Sequence, residues 1–233
     1  MKKERIWEID ALRGFMIVCM VFVHFVIGSA DQIAWPIWLL LVFSRLGVLF
    51  VILSGISANF GSNGFRRGIL VFACGLILEL GSYLAVALGI MGNGWVIRFG
   101  VLHLLGVCMM LWPLLKKSSP WLLVIIGAVI IGVGFWFETF RVEPEFLYAI
   151  GLTSKNFSSG DFYPIFPQFG FFLVGGAIGK WVYPEKKTLF PKVNANNAVL
   201  RFFRFCGRHS LVIYLIHFLF VGAVLALLSL LLH

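Results

Sequence analysis

Charged residues are scarce in this sequence. Only 12% of its 233 residues are charged, whereas a soluble domain is roughly a quarter charged. Acidic residues are the scarcer sign, ten against nineteen basic ones, and 61% of the chain is hydrophobic. This shortage of charge excludes an ordinary soluble domain and predicts an integral membrane protein.

The sequence also lacks the patterns that would indicate several other classes of protein. Its apolar runs do not alternate with polar residues as barrel strands do, and no internal repeat indicates a transporter. The four cysteines have no paired spacing outside the apolar runs, which predicts neither disulfides nor a metal site. There is no P-loop, dinucleotide-binding fingerprint or HExxH zinc motif.

Long apolar runs are what the sequence does contain. Several reach the roughly 20 residues that a helix needs to cross the hydrocarbon, so we predict an all-α polytopic helical membrane bundle of about seven spans, with one domain over residues 1–233. The start of the chain also imitates a secretory signal, but Asp10 and Arg13 interrupt it, and we predict a first span instead. The predicted spans are 12–30, 37–60, 67–90, 95–115, 119–137, 164–182 and 209–231.

The net charge of +9 indicates topology and not a nucleic-acid partner. With the amino terminus in the cytoplasm, fourteen basic residues fall inside and only Arg141 and Lys155 fall outside. Such a bias orients membrane proteins, and the tryptophans fall at the predicted boundaries, as indole rings at headgroup level should. We therefore predict an amino terminus inside and a carboxyl terminus outside.

Two of the predicted connections are long. The outer segment, residues 138–163, is polar and is expected to cap a site on the outer face. The inner segment, residues 183–208, ends in "NAVLRFFRFCGR", where phenylalanines alternate with arginines. This pattern is typical of a helix on an anionic membrane surface, and a solvated basic loop would explain it equally well.

Ionisable residues interrupt the first apolar run, where they are costly. Because each helical residue turns the chain by about 100° and rises about 1.5 Å, His24 lies about 20° from Arg13 and roughly 16 Å further along the axis. Asp10 is three residues before Arg13 and shares its face. Asp10, Arg13 and His24 thus form one polar stripe, which predicts a functional face. The alternative is an Asp10–Arg13 ion pair and a histidine that only hydrogen-bonds between helices.

Other predicted spans carry further polar candidates. Glu79 lies near the middle of a span, so we expect a basic partner such as Arg45 or Arg98. His103 follows Arg98 by five residues, which on a helix points the two about 140° apart. Together these groups predict an anionic ligand and proton transfer in a membrane cavity. Ser54 is a further candidate. Three more, Ser210, Tyr214 and His217, are spaced i, i+4 and i+7 and therefore lie on one face of a helix.

Five stretches of the chain carry a resemblance to a known family. They are "IDALRGFMIVCMVFVHF" at 9–25, "RLGVLFVILSGIS" at 45–57, "FGVLHLLGV" at 99–107, "FYPIFPQFGFFLVGGAIGKWVYP" at 162–184 and "GRHSLVIYLIH" at 207–217. In this order they resemble the small bacterial members of the heparan-alpha-glucosaminide N-acetyltransferase catalytic-domain family, and the opening Arg-x10-His is also similar to the acyltransferase-3 family of membrane O-acyltransferases. The resemblance implies a transmembrane acyltransferase-like fold in the bacterial cytoplasmic (inner) membrane.

The resemblance also implies roles for particular residues. His24 and Arg13 match the Arg-x10-His pair, so we expect His24 to be the catalytic base or an acylated nucleophile and Asp10 to orient Arg13. Lysosomal members place their catalytic histidine after the first helix, but residues 25–102 contain no histidine here, so His103 is the next candidate. Residues expected at the donor site are Arg13, Arg45, Ser54, Arg66, Arg67, Arg98, Tyr214 and His217, with the basic 183–208 segment.

The expected reaction moves an acyl group from cytoplasmic acetyl-CoA, or another acyl-CoA, to an outer-facing amine or hydroxyl of an amino sugar or glycan, without a metal. Two alternatives stay open at this stage. A proton-coupled transporter or sensor of an anionic metabolite would use the same arginines and histidines, and a membrane subunit without its own activity would need only the fold. The expected partners include the lipid bilayer and no nucleic acid, and a homodimer is left open.

Overall fold

The computed structural model describes residues 6–30, 33–39, 45–90, 92–143, 145–195 and 197–232. Within these residues eight α-helices have defined bounds, residues 37–39 are also helical, and there is no strand. Residues 40–44 of the predicted second span lie outside the described residues. The helices are α1 (Trp7–Gly28), α2 (Leu46–Ala58), α3 (Gly64–Ala87), α4 (Val101–Leu115), α5 (Pro120–Phe137), α6 (Ile165–Val182), α7 (Ala198–Arg208) and α8 (Ser210–Leu232), with short 3-10 helices at Asn93–Trp95 and Glu145–Ile150.

Four of these helices, α1, α3, α5 and α6, are long and apolar enough to cross a membrane. Helices α7 and α8 together qualify as a fifth, although they are bent by 88°. Helices α2 and α4 are apolar but shorter and fall within the second and fourth predicted spans. The helical membrane bundle is thus confirmed with four or five spanning helices among the described residues, and the total of seven stays a prediction.

Helix α4 begins later than predicted, at Val101 and not at residue 95. Phe99 adopts a left-handed φ of 54°, which a helix cannot continue through. A carboxylate oxygen of Asp161 accepts a hydrogen bond from the Val101 N–H at 3.0 Å and so caps the helix. Arg98 therefore precedes the helix, and the predicted 140° between Arg98 and His103 does not apply.

The described chain divides into two compact units. The first unit contains residues 1–53 and 185–233, and the second contains residues 54–184. In the first, α1 packs against α7 and α8; in the second, α3 packs against α4 and α5 against α6. Whether both units form one domain, as the sequence predicts, stays a prediction.

Two glycines bring the backbones of α1 and α7 together in the first unit. A Cβ added at Gly14 would overlap the backbone carbonyl oxygen of Phe203, and one added at Gly207 would overlap that of Asp10. Only a residue without a side chain allows so close an approach. The crossing fixes the end of α7, and with it Arg208, beside the start of α1.

In the second unit, the predicted outer segment folds back on the chain before α4. The Gly160 N–H donates to the carbonyl of Val96 at 2.9 Å, and the Tyr163 N–H donates to that of Phe99 at 3.0 Å. With the Asp161 cap, these bonds hold residues 96–101 against the outer segment. The segment therefore packs against the start of α4, and its predicted role of capping a site on the outer face stays a prediction.

Candidate active site

Two histidines face each other in the first unit. His24 of α1 and His217 of α8 have ring centroids 4.8 Å apart, and Phe218 packs against both rings. His217 is buried and His24 is half-buried. Tyr214 packs on His217, with ring centroids 5.0 Å apart. We call His24 and His217 the histidine pair.

Both imidazoles of the histidine pair are oriented in the same way. The Nδ1 of His24 lies 2.9 Å from the carbonyl oxygen of Met20, and the Nδ1 of His217 lies 2.5 Å from that of Tyr214. A carbonyl oxygen only accepts, so each Nδ1 carries a proton and each neutral ring presents Nε2 as an acceptor. The Nε2 of His217 is buried without a hydrogen-bond partner among the described residues.

A buried carboxylate lies between two arginines near the start of α1. The Oδ1 of Asp10 is 3.7 Å from an Nη of Arg13, and its Oδ2 is 3.6 Å from the Nε of Arg208. The Asp10–Arg13 contact is the one that the sequence predicts. Arg208 was missed, because its position depends on the α1–α7 crossing and no local signal reports that crossing. We call these three residues the Asp10 cluster.

A second buried histidine lies in the second unit. The Nε2 of His103 is 3.2 Å from a carboxylate oxygen of Glu79, although the two are not aligned as a hydrogen bond. The ring stacks on Phe99 at 5.5 Å and meets Phe72 edge-on at 5.2 Å. Glu79 thus has His103 as a basic neighbour, which the sequence did not predict, and the charge of Arg98, a predicted partner, also acts on it.

Arg98 lies in the non-helical chain just before α4. The Arg98 guanidinium lies 5.7 Å from the ring centroid of Phe157. The backbone N–H of Arg98 donates to the hydroxyl of Ser159 at 2.9 Å. Outside the spans, burial raises the pKa of Tyr148, and the charge of Glu79 raises it further while Arg98 opposes the rise. Tyr148 and Arg98 therefore lie within electrostatic range of Glu79, and the Tyr148 phenol stays a neutral hydrogen-bond donor.

The other predicted donor-site residues occupy separate places. Arg66 and Arg67 are exposed in the first turn of α3 and line an open cavity of about 490 Å³ with Ser62, Asn63 and Leu70. Arg45 is exposed just before α2, and Ser54 is half-buried within α2. The described residues contain no group of three or more His, Cys, Asp or Glu side chains placed to hold a metal ion.

An all-helical bundle with several apolar spans belongs to the class of multi-pass membrane proteins. Its buried histidines are ionisable groups of the kind that mark functional sites within membranes. The particular family follows from comparison with known proteins. The family model described as heparan-alpha-glucosaminide N-acetyltransferase, catalytic, matches residues 5–219. The chain belongs to that family, which implies a membrane acetyltransferase-type function. No curated protein and no solved structure matches the chain.

Proposed function

We propose that the protein transfers an acyl group, acetyl first, from acyl-CoA to an amine or hydroxyl of an amino sugar or glycan, with His24 as the general base. The observation that carries the proposal is the orientation of the histidine pair. A base needs an unprotonated nitrogen aimed at the acceptor, and an Nδ1–H bonded to a carbonyl leaves Nε2 for that purpose.

The proton and the acyl group move in a balanced step. The His24 Nε2 takes the proton of the acceptor N–H or O–H while the acceptor atom attacks the thioester carbonyl carbon. A carbon–nitrogen or carbon–oxygen bond forms, the carbon–sulfur bond breaks, and the leaving thiolate takes the proton from the imidazolium. If His24 is acylated first, the same bonds change in two steps.

The donor is anchored by its phosphates. Arg13 is the first candidate, because a guanidinium binds phosphate through charge-assisted bonds and lies roughly 16 Å from His24 along the continuous helix α1. The thioester at the far end of the pantetheine arm then extends towards the histidine pair. Arg66 and Arg67 at the open cavity are further candidates for phosphate contacts.

The proposed location is the bacterial inner membrane, with the amino terminus in the cytoplasm and the carboxyl terminus outside. The positive-inside bias of the sequence supports this orientation. A reporter that is active only outside the cytoplasm, fused after His233, should be active. The matched control is the same reporter after Lys117, which should be silent; the reverse pattern contradicts the orientation.

The reaction is tested by giving the purified full-length protein acetyl-CoA with a labelled acetyl group and a panel of acceptors: glucosamine, N-acetylglucosamine and glucose. Transfer to glucosamine alone indicates N-acylation, and transfer to all three indicates O-acylation. Release of CoA with labelled product, abolished in His24→Gln, is the expected result. If the protein binds donor but yields neither product nor free CoA with any acceptor, a carrier or sensor of anionic metabolites replaces the proposal.

A further inference from the structure

An exposed surface in the first unit combines apolar and basic side chains. It lies between α6 and α8 in the sequence and includes the outward face of α7. Its large apolar side chains are about half exposed, for example Phe202 at 53% and Phe205 at 60%. We call it the α7 surface; its apolar members are Leu189, Phe190, Val193, Val199, Phe202 and Phe205, and its exposed basic members are Lys186, Lys187, Lys192 and Arg201.

Helix α7 separates its two sides clearly. Phe203 and Gly207 lie on the side that packs against α1. Phe205 is about 160° from Gly207 around the helix, so it points away from α1, and Arg201 and Phe202 flank it at i−4 and i−3. The outward face therefore presents phenylalanine rings beside a cation, the arrangement by which a helix lies in a membrane interface.

The orientation of α7 agrees with such a position. Helix α7 meets α8 at 88°, so if α8 runs along the membrane normal, α7 runs in the membrane plane. The residues before α7 are held at the start of α1, because Glu8 accepts hydrogen bonds from the Thr188 hydroxyl at 2.9 Å and the Leu189 N–H at 2.8 Å. Trp7 packs against Phe190, with ring centroids 6.4 Å apart, and adds an indole of the kind that favours headgroup level.

We propose that the α7 surface binds the headgroups of anionic phospholipids in the bilayer that holds the protein. Two observations favour lipid over a solvated loop: the exposed phenylalanines need an apolar environment, and the exposed basic side chains need a negatively charged one. Two neighbouring arginines already have partners within the protein, since Arg204 donates to the carbonyl of Ala195 at 2.7 Å and Arg208 contacts Asp10. Lys192 and Arg201 are therefore the residues chosen to contact headgroups. The inference goes beyond acyl transfer and does not depend on it.

The test titrates the purified full-length protein, in uncharged detergent at low salt, with dioctanoyl phosphatidylglycerol and separately with dioctanoyl phosphatidylcholine. Bound lipid is counted by native mass spectrometry. Each basic residue near an anionic surface contributes about fivefold in affinity, so Lys192→Gln with Arg201→Gln should weaken phosphatidylglycerol binding roughly 25-fold. Raising the salt should weaken wild-type binding in the same direction.

The matched control removes the same amount of charge from exposed residues elsewhere, Arg141→Gln with Lys155→Gln. This control should bind phosphatidylglycerol like the wild type, and thermal melting without lipid should show that both double variants are folded. Equal binding of the two lipids by the wild type overturns the proposal, as do equal losses in both double variants. Displacement of phosphatidylglycerol by excess CoA also overturns it, because the surface then binds the donor. If a Phe202→Ala, Phe205→Ala variant binds phosphatidylglycerol like the wild type, the exposed phenylalanines do not contribute to lipid binding and that part of the proposal is overturned.

Discussion

The two units each hold a buried histidine with a polar neighbour, but the neighbours differ. In the first unit, His24 faces another imidazole, and both Nδ1 atoms are occupied by backbone carbonyls. In the second, the Nε2 of His103 faces a carboxylate, and its Nδ1 lies against α3, where a Cβ added at Gly75 would be 3.0 Å away. In the first unit each ring thus keeps an Nε2 that can accept a proton, whereas in the second both ring nitrogens of His103 face α3.

This difference changes the order in which the histidines are considered as bases. When the carboxylate of Glu79 is ionised, the Nε2 of His103 must carry the proton to face it favourably. The remaining Nδ1 has no room for an acceptor substrate. Should His24 not be the base, His217 is therefore a better second candidate than His103, which is the reverse of the order suggested by the family resemblance.

The largest expected effect is on kcat, when His24 and His103 are each replaced by glutamine. General-base catalysis contributes about 10²- to 10⁴-fold, so His24→Gln should lower kcat by about that factor and leave the Kd for acetyl-CoA nearly unchanged. His103→Gln, which keeps a hydrogen-bonding side chain beside Glu79, should retain most of the wild-type kcat. Steady-state rates and equilibrium donor binding measured on both variants give the contrast.

A structural His24 would give the opposite pattern. Glutamine would then restore the rate, and His24→Ala would mainly lower the Tm of the detergent-solubilised protein. A large loss of kcat in His103→Gln with a normal rate in His24→Gln would move the base to the second unit.

The next effect separates the two arginines of the Asp10 cluster. If Arg13 binds a donor phosphate, Arg13→Ala should weaken acetyl-CoA binding by about 1.5–3 kcal/mol. Arg208, whose side chain is 42% exposed, should matter less, and Arg208→Gln should cost under about 1 kcal/mol. Isothermal titration of both variants decides; equal affinities in wild type and Arg13→Ala would make the cluster structural.

A third prediction compares two glycines of the first unit. Gly14→Ala forces a methyl group onto the α7 backbone, and overpacking of this kind costs about 1–3 kcal/mol, seen as a lower Tm. Gly222 in α8 has no atom within 4 Å of an added Cβ, so Gly222→Ala should cause no loss. Equal Tm values for the two variants would contradict the close α1–α7 crossing.

The smallest prediction compares a capping residue in each unit. The side chain of Asp161 is buried and accepts from the first N–H of α4, whereas that of Asn197 is exposed and accepts from the Val199 N–H at 2.9 Å. Loss of a cap costs about 0.5–2 kcal/mol, and we expect Asp161→Ala near the upper end and Asn197→Ala near the lower. Asp161→Asn keeps an acceptor oxygen and serves as the control. Thermal melting measures all three.

Local signals explain which helices could be predicted well. Helix α5 begins at Pro120 after the Ser119 cap, and α6 begins just after Pro164. A capping serine and a proline at a helix start are read directly from neighbouring residues. Both helices therefore begin within one residue of the predicted spans, and the i, i+3 contact of Asp10 with Arg13 was predicted by the same kind of local rule.

The contacts that could not be predicted join distant parts of the chain. The sequence placed His24 and His217 on polar helical faces but had no means of pairing α1 with α8. The sequence predicted an arginine partner for Glu79, and the charge of Arg98 does act on it. The contact with His103 depends on how α3 packs against α4 and was not predicted. The Asp161 cap lies 60 residues from the N–H that it accepts from, beyond the reach of any capping pattern.

The two segments of the first unit are synthesised at different times, because the second unit lies between them in the sequence. Glu8 is made 180 residues before the Thr188 that binds it. At about 5–20 residues per second, the newly made α1 waits roughly 10–40 s before the partners of Glu8 are synthesised. The whole second unit is translated during that interval. Ribosome-attached chains cut short before residue 185 should therefore hold a folded second unit beside an α1 that still depends on water, lipid headgroups or the insertion machinery to shelter its acids.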